Sequence, residues 1–107
     1  MDKNKKHQYF LACHNALLFN ITYHTRLVIA DIIDNELIIW VYLDKVPNNH
    51  EKDAYYSASA ELTGEFIELS SSKVYFLTEP FSEVSIKDRL LLFARCDYLD
   101  SEGNLIE

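Results

Sequence analysis

Apolar residues recur at helical spacing at the start of the chain, then give way abruptly to dense runs of β-branched and aromatic residues. Phe10, Cys13 and Leu17 fall on one stripe, with Leu11 and Leu18 beside it, which predicts a helix from Lys5 to Phe19. Asn20-Ile21-Thr22 is its exit. Two strand-like runs follow, Arg26 to Ile33 and Glu36 to Leu43, separated by Asp34-Asn35. Asp and Asn tolerate the positive φ of a two-residue turn, so this segment reads as a β-hairpin.

Asp44 to Asn49, with Pro47, is a loop. Asn48 or Asn49 can cap a second helix from His50 to Phe66, whose first turn places Glu51 and Asp53 at the positive end of the macrodipole. Ala54, Ala58, Leu62 and Phe66 form its buried stripe, and Glu61, Glu65 and Glu68 an acidic face. Gly64 weakens the last turn by roughly 1 kcal/mol relative to Ala. Lys73 to Thr78 and Arg89 to Cys96 read as the third and fourth strands, joined by residues 79–88. Residues 97–107 form an acidic tail that can be mobile.

The order helix, strand, strand, helix, strand, strand describes a two-layer α+β domain. The crossover helix makes strands two and three run in the same direction, through a right-handed connection. With strand three set antiparallel beside strand one, the expected sheet is four-stranded and antiparallel, order 2-1-3-4, with both helices on one face. At 107 residues the chain is a single domain spanning 1–107. A chain this long buries roughly 65% of its unfolded surface, enough for a core without metal or disulfide staples.

The hairpin is apolar on both faces. Val28, Ala30 and Ile32 share one with Leu37, Ile39, Val41 and Leu43. Leu27, Ile29, Ile33, Ile38, Trp40 and Tyr42 share the other. A half-buried antiparallel strand normally shows a polar outer face. The second face therefore needs cover, from the tail, from a long loop, or from a partner.

Charge narrows the partners. The formal net charge is −7, and it is uneven: residues 1–53 hold seven acids and six bases, residues 54–107 ten acids and four bases. Such a chain repels nucleic acid and anionic membrane and attracts basic proteins. The N-terminus lacks the uninterrupted apolar core of a signal peptide, and no run approaches the ~20 apolar residues of a membrane span. These features point to the cytoplasm. Cys13 and Cys96 read as reduced thiols there, a long-range disulfide being the alternative.

Catalytic chemistry finds no foothold. His7 and His14 are a heptad apart, whereas helical metal ligands sit three or four residues apart. Cys13 and His14, adjacent on a helix, point about 100° apart and cannot act as nucleophile and base. The carboxylate pairs Asp31/Asp34, Glu51/Asp53 and Glu61/Glu65 lie on a turn or on solvated helix faces. Two glycines cannot build a phosphate cradle. No cofactor, metal or enzyme activity is expected.

Three stretches carry a resemblance. His14-Asn15-Ala16-Leu17-Leu18-Phe19-Asn20-Ile21-Thr22 is followed by Arg26. Tyr42-Leu43-Asp44 ends the second strand, ahead of a helix ending in Glu65-Phe66. Leu92-Phe93-Ala94-Arg95 closes the fourth strand. Over roughly residues 10–96 these stretches resemble small bacterial immunity proteins of contact-dependent growth inhibition and related toxin systems. The departures are Phe19, where that pattern has Gly, and the long acidic tail. The resemblance implies a cytoplasmic, non-catalytic protein that binds and blocks a cognate toxin C-terminal domain, often a nuclease with a cationic groove. The candidate partner-binding residues are then Glu61, Glu65 and Glu68 with Asp31, Asp34 and Glu36 for steering, and Trp40 and Tyr42 as anchors. Two alternatives stay open: a self-associating adaptor that forms a homodimer through the Trp40/Tyr42 face, and a small enzyme built at a dimer interface.

Overall fold

Two successive residues with positive φ, Asp34 at 53° and Asn35 at 64°, reverse the chain between strands β1 (Thr25–Ile33) and β2 (Glu36–Leu43). That backbone matches the twist of the flanking strands, and short polar side chains tolerate it. The computed structural model describes residues 3–17, 20–80 and 89–95. Its elements are α1 (Lys3–Leu17), the β1–β2 hairpin, α2 (Asn49–Glu65), β3 (Ser71–Leu77) and β4 (Leu90–Ala94). The α+β class and the element order are those expected.

The sheet differs from expectation. Its order is β3-β2-β1-β4 and it is mixed: β2 and β3 pair in parallel, while β1 pairs antiparallel with β2 and with β4. Strand three does run in the direction of strand two, but it lies beside that strand and not beside β1. Matching alternation accounts for the pairing. Val74 and Phe76 meet Ile39 and Val41 on one face, and Tyr75 and Leu77 meet Trp40 and Tyr42 on the other. The hairpin turn also seeds it, since Ser70 donates its N–H to the Asn35 carbonyl at 2.8 Å. With β2 filled on one side by β1 and on the other by β3, β4 takes the outer edge of β1.

Both helices pack on one face. Tyr9, Cys13 and Leu17 of α1, with Tyr55, Ala58 and Leu62 of α2, join Val28, Ala30, Leu37, Ile39, Val41 and Leu43 in the main core. On α2 the buried stripe is Tyr55, Ala58, Ser59 and Leu62, while Ala54 and Phe66 are only half-buried. Tyr55 takes the core position because its hydroxyl finds partners there. It accepts from the Thr22 N–H at 3.1 Å and hydrogen-bonds the Thr25 hydroxyl. Thr22 in turn donates to Glu51 at 3.0 Å. Glu51 is itself buried, and with Asn48 it forms a capping box, each side chain accepting the other's backbone N–H. Thr25 reaches this cluster because the β1–β2 register shifts between Thr25 and Leu27, and the extra residue turns it toward the helices.

A second clasp holds the helices together. The first turn of α1 carries no acid, so its lysines face the positive end of the macrodipole. Glu68, just beyond α2, offsets this by pairing with Lys5 and accepting from the Tyr9 hydroxyl at 2.8 Å. The Tyr9 and Phe66 rings meet at 4.7 Å, with the Lys5 ammonium 5.1 and 5.3 Å from their centroids. Lys5 first, then the backbone N–H of Glu68 and the Tyr9 hydroxyl, hold the Glu68 carboxyl down at about 2. Burial, then Glu68, pushes Tyr9 up to about 12.

The face away from the helices carries a smaller cluster. Leu27, Ile29 and Tyr42 are buried, and Trp40, Leu77 and Ala94 pack against them. Trp40 thus lies on the face that strand alternation assigned to it. The expected cover from the tail lies outside the described residues, as does Cys96. Cys13 is buried and free, its thiol pushed up to about 12 by burial and then by the nearby Glu65.

Replacing Tyr55 with Phe keeps the ring but strands the Thr22 N–H and leaves the Thr25 hydroxyl only its bond with the Thr22 hydroxyl, at 3.1 Å. The expected loss is about 1–3 kcal/mol, read by urea denaturation. Stability within about 0.5 kcal/mol of wild type would show that the two threonines find other partners. For Glu68 the folded carboxyl titrates below its unfolded value, so its contribution is present above about pH 5 and disappears as the pH falls toward 2. Wild type and Glu68→Gln should therefore differ in stability at neutral pH and converge in acid. A gap that stays constant down to pH 2 contradicts the clasp.

Candidate partner-binding site

The acidic and aromatic candidates divide between the two layers of the fold. Four of them, Asp31, Glu36, Trp40 and Tyr42, alternate onto the sheet face opposite the helices, and Asp34 sits exposed at the turn beside them. Asp31 turns back to accept from the Ile32 N–H at 2.8 Å. Glu36 accepts from the Ser71 hydroxyl at 2.7 Å and lies 3.6 Å from the Lys73 ammonium, so it braces the start of β3. Trp40 stacks on Tyr75 at 6.4 Å, and the Arg89 guanidinium lies 4.0 Å from its ring centroid. Tyr42 keeps only 6% of its surface.

Glu61 and Glu65 stand exposed one turn apart on α2, in the helix layer. Glu68 is held in the clasp with Lys5 and Tyr9. The sheet separates these acids from Trp40 and Tyr42, so a single rigid surface cannot present both groups face-on.

The resemblance stretches, by contrast, converge. Arg26 of β1, Asp44 after β2 and Arg95 after β4 meet at one end of the sheet. Arg95 donates from Nη1 and Nη2 to the two Asp44 oxygens at 2.5 and 3.2 Å, and Arg26 Nε lies 3.8 Å from Asp44. Arg26 also donates to the Glu79 carbonyl at 2.8 Å. The Arg95 N–H reaches the Arg26 carbonyl, and the Asp44 N–H the His24 carbonyl, each at 2.9 Å. The Arg95 hydrogen bonds, with Arg26 and His24 nearby, hold the Asp44 carboxyl below the usual carboxylate range. Planar guanidinium meeting carboxylate in a fork is a rigid joint. It ties three strand ends that are far apart in sequence, and Thr22 of the same motif ties β1 to α2.

Concavities accompany these surfaces. A groove of about 350 Å³ runs between the helices, lined by Gln8, Leu11, Ala12 and Asn15 of α1 with Glu65 and Phe66. A smaller one of about 250 Å³ is lined by His14, Leu17, Ile21, Leu92 and Phe93. Leu11, on the stripe beside the buried one, is 47% exposed, and Ile67, just beyond the groove's Phe66, is fully exposed. Among the described residues no three His, Cys, Asp or Glu side chains gather as metal donors, and no helix is long and apolar enough to cross a membrane. These surfaces present exposed carboxylates, exposed apolar side chains and a groove.

No curated protein sequence matches the chain. Among solved structures it is similar to a crystal structure from Shewanella oneidensis, at 13% identity and a TM-score of 0.52, over 84% of this chain and 73% of that one. That likeness concerns the fold alone. The family model of the MafI2 immunity protein matches residues 6–97, a span that holds the Thr22–Thr25–Tyr55–Glu51 cluster, all four strands and the whole Arg26–Asp44–Arg95 joint. On a match of that extent, the chain belongs to the MafI2 immunity protein family.

Proposed function

We propose that the chain neutralises a cognate toxin domain by binding it non-covalently, as a stoichiometric inhibitor that catalyses nothing itself. The family match over residues 6–97 carries this reading. The acidic balance extends it to the partner's chemistry: a net charge of −7, concentrated in the second half of the chain, suits a basic toxin domain such as a nuclease with a cationic groove. The toxin would be one delivered between neighbouring bacteria, met in the cytoplasm.

The rigid joints suit this task. An inhibitor that must hold a toxic domain needs residence time as well as encounter rate. A surface already ordered in the free protein loses less conformational entropy when it docks. Exposed acids at Asp34, Glu61 and Glu65 supply attraction at a distance, and apolar side chains supply the close contact.

Co-expression with the toxin domain encoded beside the gene is the direct test. The chain should restore growth, and failure to protect while folded and expressed overturns the reading. The electrostatic half has its own measurement. Between about 0.01 M and 1 M salt the screening length falls from ~30 to ~3 Å, so association should slow at least tenfold while dissociation changes little. An association rate that ignores salt removes the basic partner.

A further inference from the structure

The outer sheet face is poorly suited to anchor a partner. Tyr42 is 6% exposed, Leu27 and Ile29 are fully buried, and Trp40 is already engaged by Tyr75 and Arg89. The groove between the helices is differently made. Leu11 stands 47% exposed on a stripe of α1 whose neighbours, Gln8 and Asn15, are uncharged amides. Ala12 and Phe66 supply an apolar floor. Glu65 forms the wall, Glu61 lies one turn before it on α2, and Ile67 is fully exposed just past Phe66. Neither Glu61 nor Glu65 is ion-paired among the described residues, whereas Glu68, Glu36 and Asp44 all are.

We infer that this α1–α2 groove is the toxin-docking site, and that its occupant is a short basic segment of the toxin domain. An apolar side chain of that segment enters between Leu11 and Phe66, and flanking Lys or Arg residues pair with Glu61 and Glu65. The inference rests on the immunity reading and assigns it a place. Charge complementarity selects the occupant, since an apolar floor with a carboxylate rim favours an apolar residue between cations and disfavours an acidic or purely apolar one. At about 350 Å³ the groove lies near the lower end of binding cavities, roughly 300–1,000 Å³, so it takes one or two side chains and not a folded surface. The Lys5–Tyr9–Phe66–Glu68 clasp fixes one end of the groove, so it is formed before the partner arrives.

The test uses the full-length chain, with the toxin domain encoded beside its gene as the probe, in biolayer interferometry at low salt. The variants are Glu61→Lys with Glu65→Lys, Leu11→Asp, the milder Leu11→Ala, and Trp40→Ala for comparison. Leu11, Glu61 and Glu65 are all exposed, and thermal melts establish that each variant is folded. The charge reversal should slow association at least tenfold, and Leu11→Asp should speed dissociation at least tenfold, with Leu11→Ala in the same direction. Wild-type rates in folded groove variants overturn the groove. If Trp40→Ala alone weakens binding, the partner docks on the sheet and the groove fails while the immunity reading stands. If sedimentation shows that Leu11→Asp splits a dimer of this chain without altering toxin binding, the occupant is a second copy and the inference is wrong. If the wild-type chain neither binds the toxin domain nor protects against it, the immunity reading fails and the groove assignment with it.

Discussion

Strands β1 and β2 carry apolar side chains on both faces, and every other element is placed by the need to cover them. The helices take the face of Val28, Ala30, Ile39 and Val41. The opposite face gathers Leu27, Ile29 and Tyr42 under Trp40, Leu77 and Ala94. Burying apolar area stabilises at about 25 cal/mol per Å², so leaving either face wet would forfeit much of what holds a domain of this size. Covering both requires strands that are themselves two-faced, and β3 meets that requirement. Its Val74 and Phe76 continue the inner face and its Tyr75 and Leu77 the outer one.

Polar groups then fix how the covered layers sit. The Thr22, Thr25, Tyr55 and Glu51 cluster joins the entry to β1 with the start of α2. At the same end of the sheet, the Arg26–Asp44–Arg95 joint closes the start of β1 and the ends of β2 and β4. Glu68 ties α1 to the exit of α2. These groups meet in only one arrangement of the elements, so the contacts discriminate against slipped packings that a purely apolar core would tolerate.

This use of acids changes how the net charge bears on function. Glu36, Asp44, Glu51 and Glu68 are engaged within the fold, and their charge is largely answered where they sit. Asp34, Glu61 and Glu65 remain turned to solvent. A field that reaches an incoming basic domain is set by the whole chain, but the contact that forms afterwards needs carboxylates free to change partners. Only the second group meets that condition, and of its members Glu65 lines the groove, with Glu61 one turn before it on α2.

What the amino-acid sequence determined by itself was local. The Asp34-Asn35 turn, an Asn48 or Asn49 cap with Glu51 in the first turn of α2, the approximate helix and strand spans and the parity that sets Trp40 opposite Ile39 depend on neighbours within a few residues, whose steric and hydrogen-bonding preferences act in any context. The acidic balance and the resemblance to immunity proteins were legible for the same reason, since both are carried by residue identity. Tertiary structure decided the rest. Both β1 and β2 offer two apolar faces, so the linear pattern did not say which of them β3 would join; the structure sets it beside β2, with the Ser70 N–H on the Asn35 carbonyl at its start. Tyr55 displaced Ala54 from the core because Thr22 and Thr25, some thirty residues earlier, offered its hydroxyl partners. Glu68 became part of a clasp, and Leu11 part of an open groove, only once α1 was laid against the end of α2. Those outcomes depend on distances between residues remote in the chain, and a one-dimensional pattern holds no record of such distances.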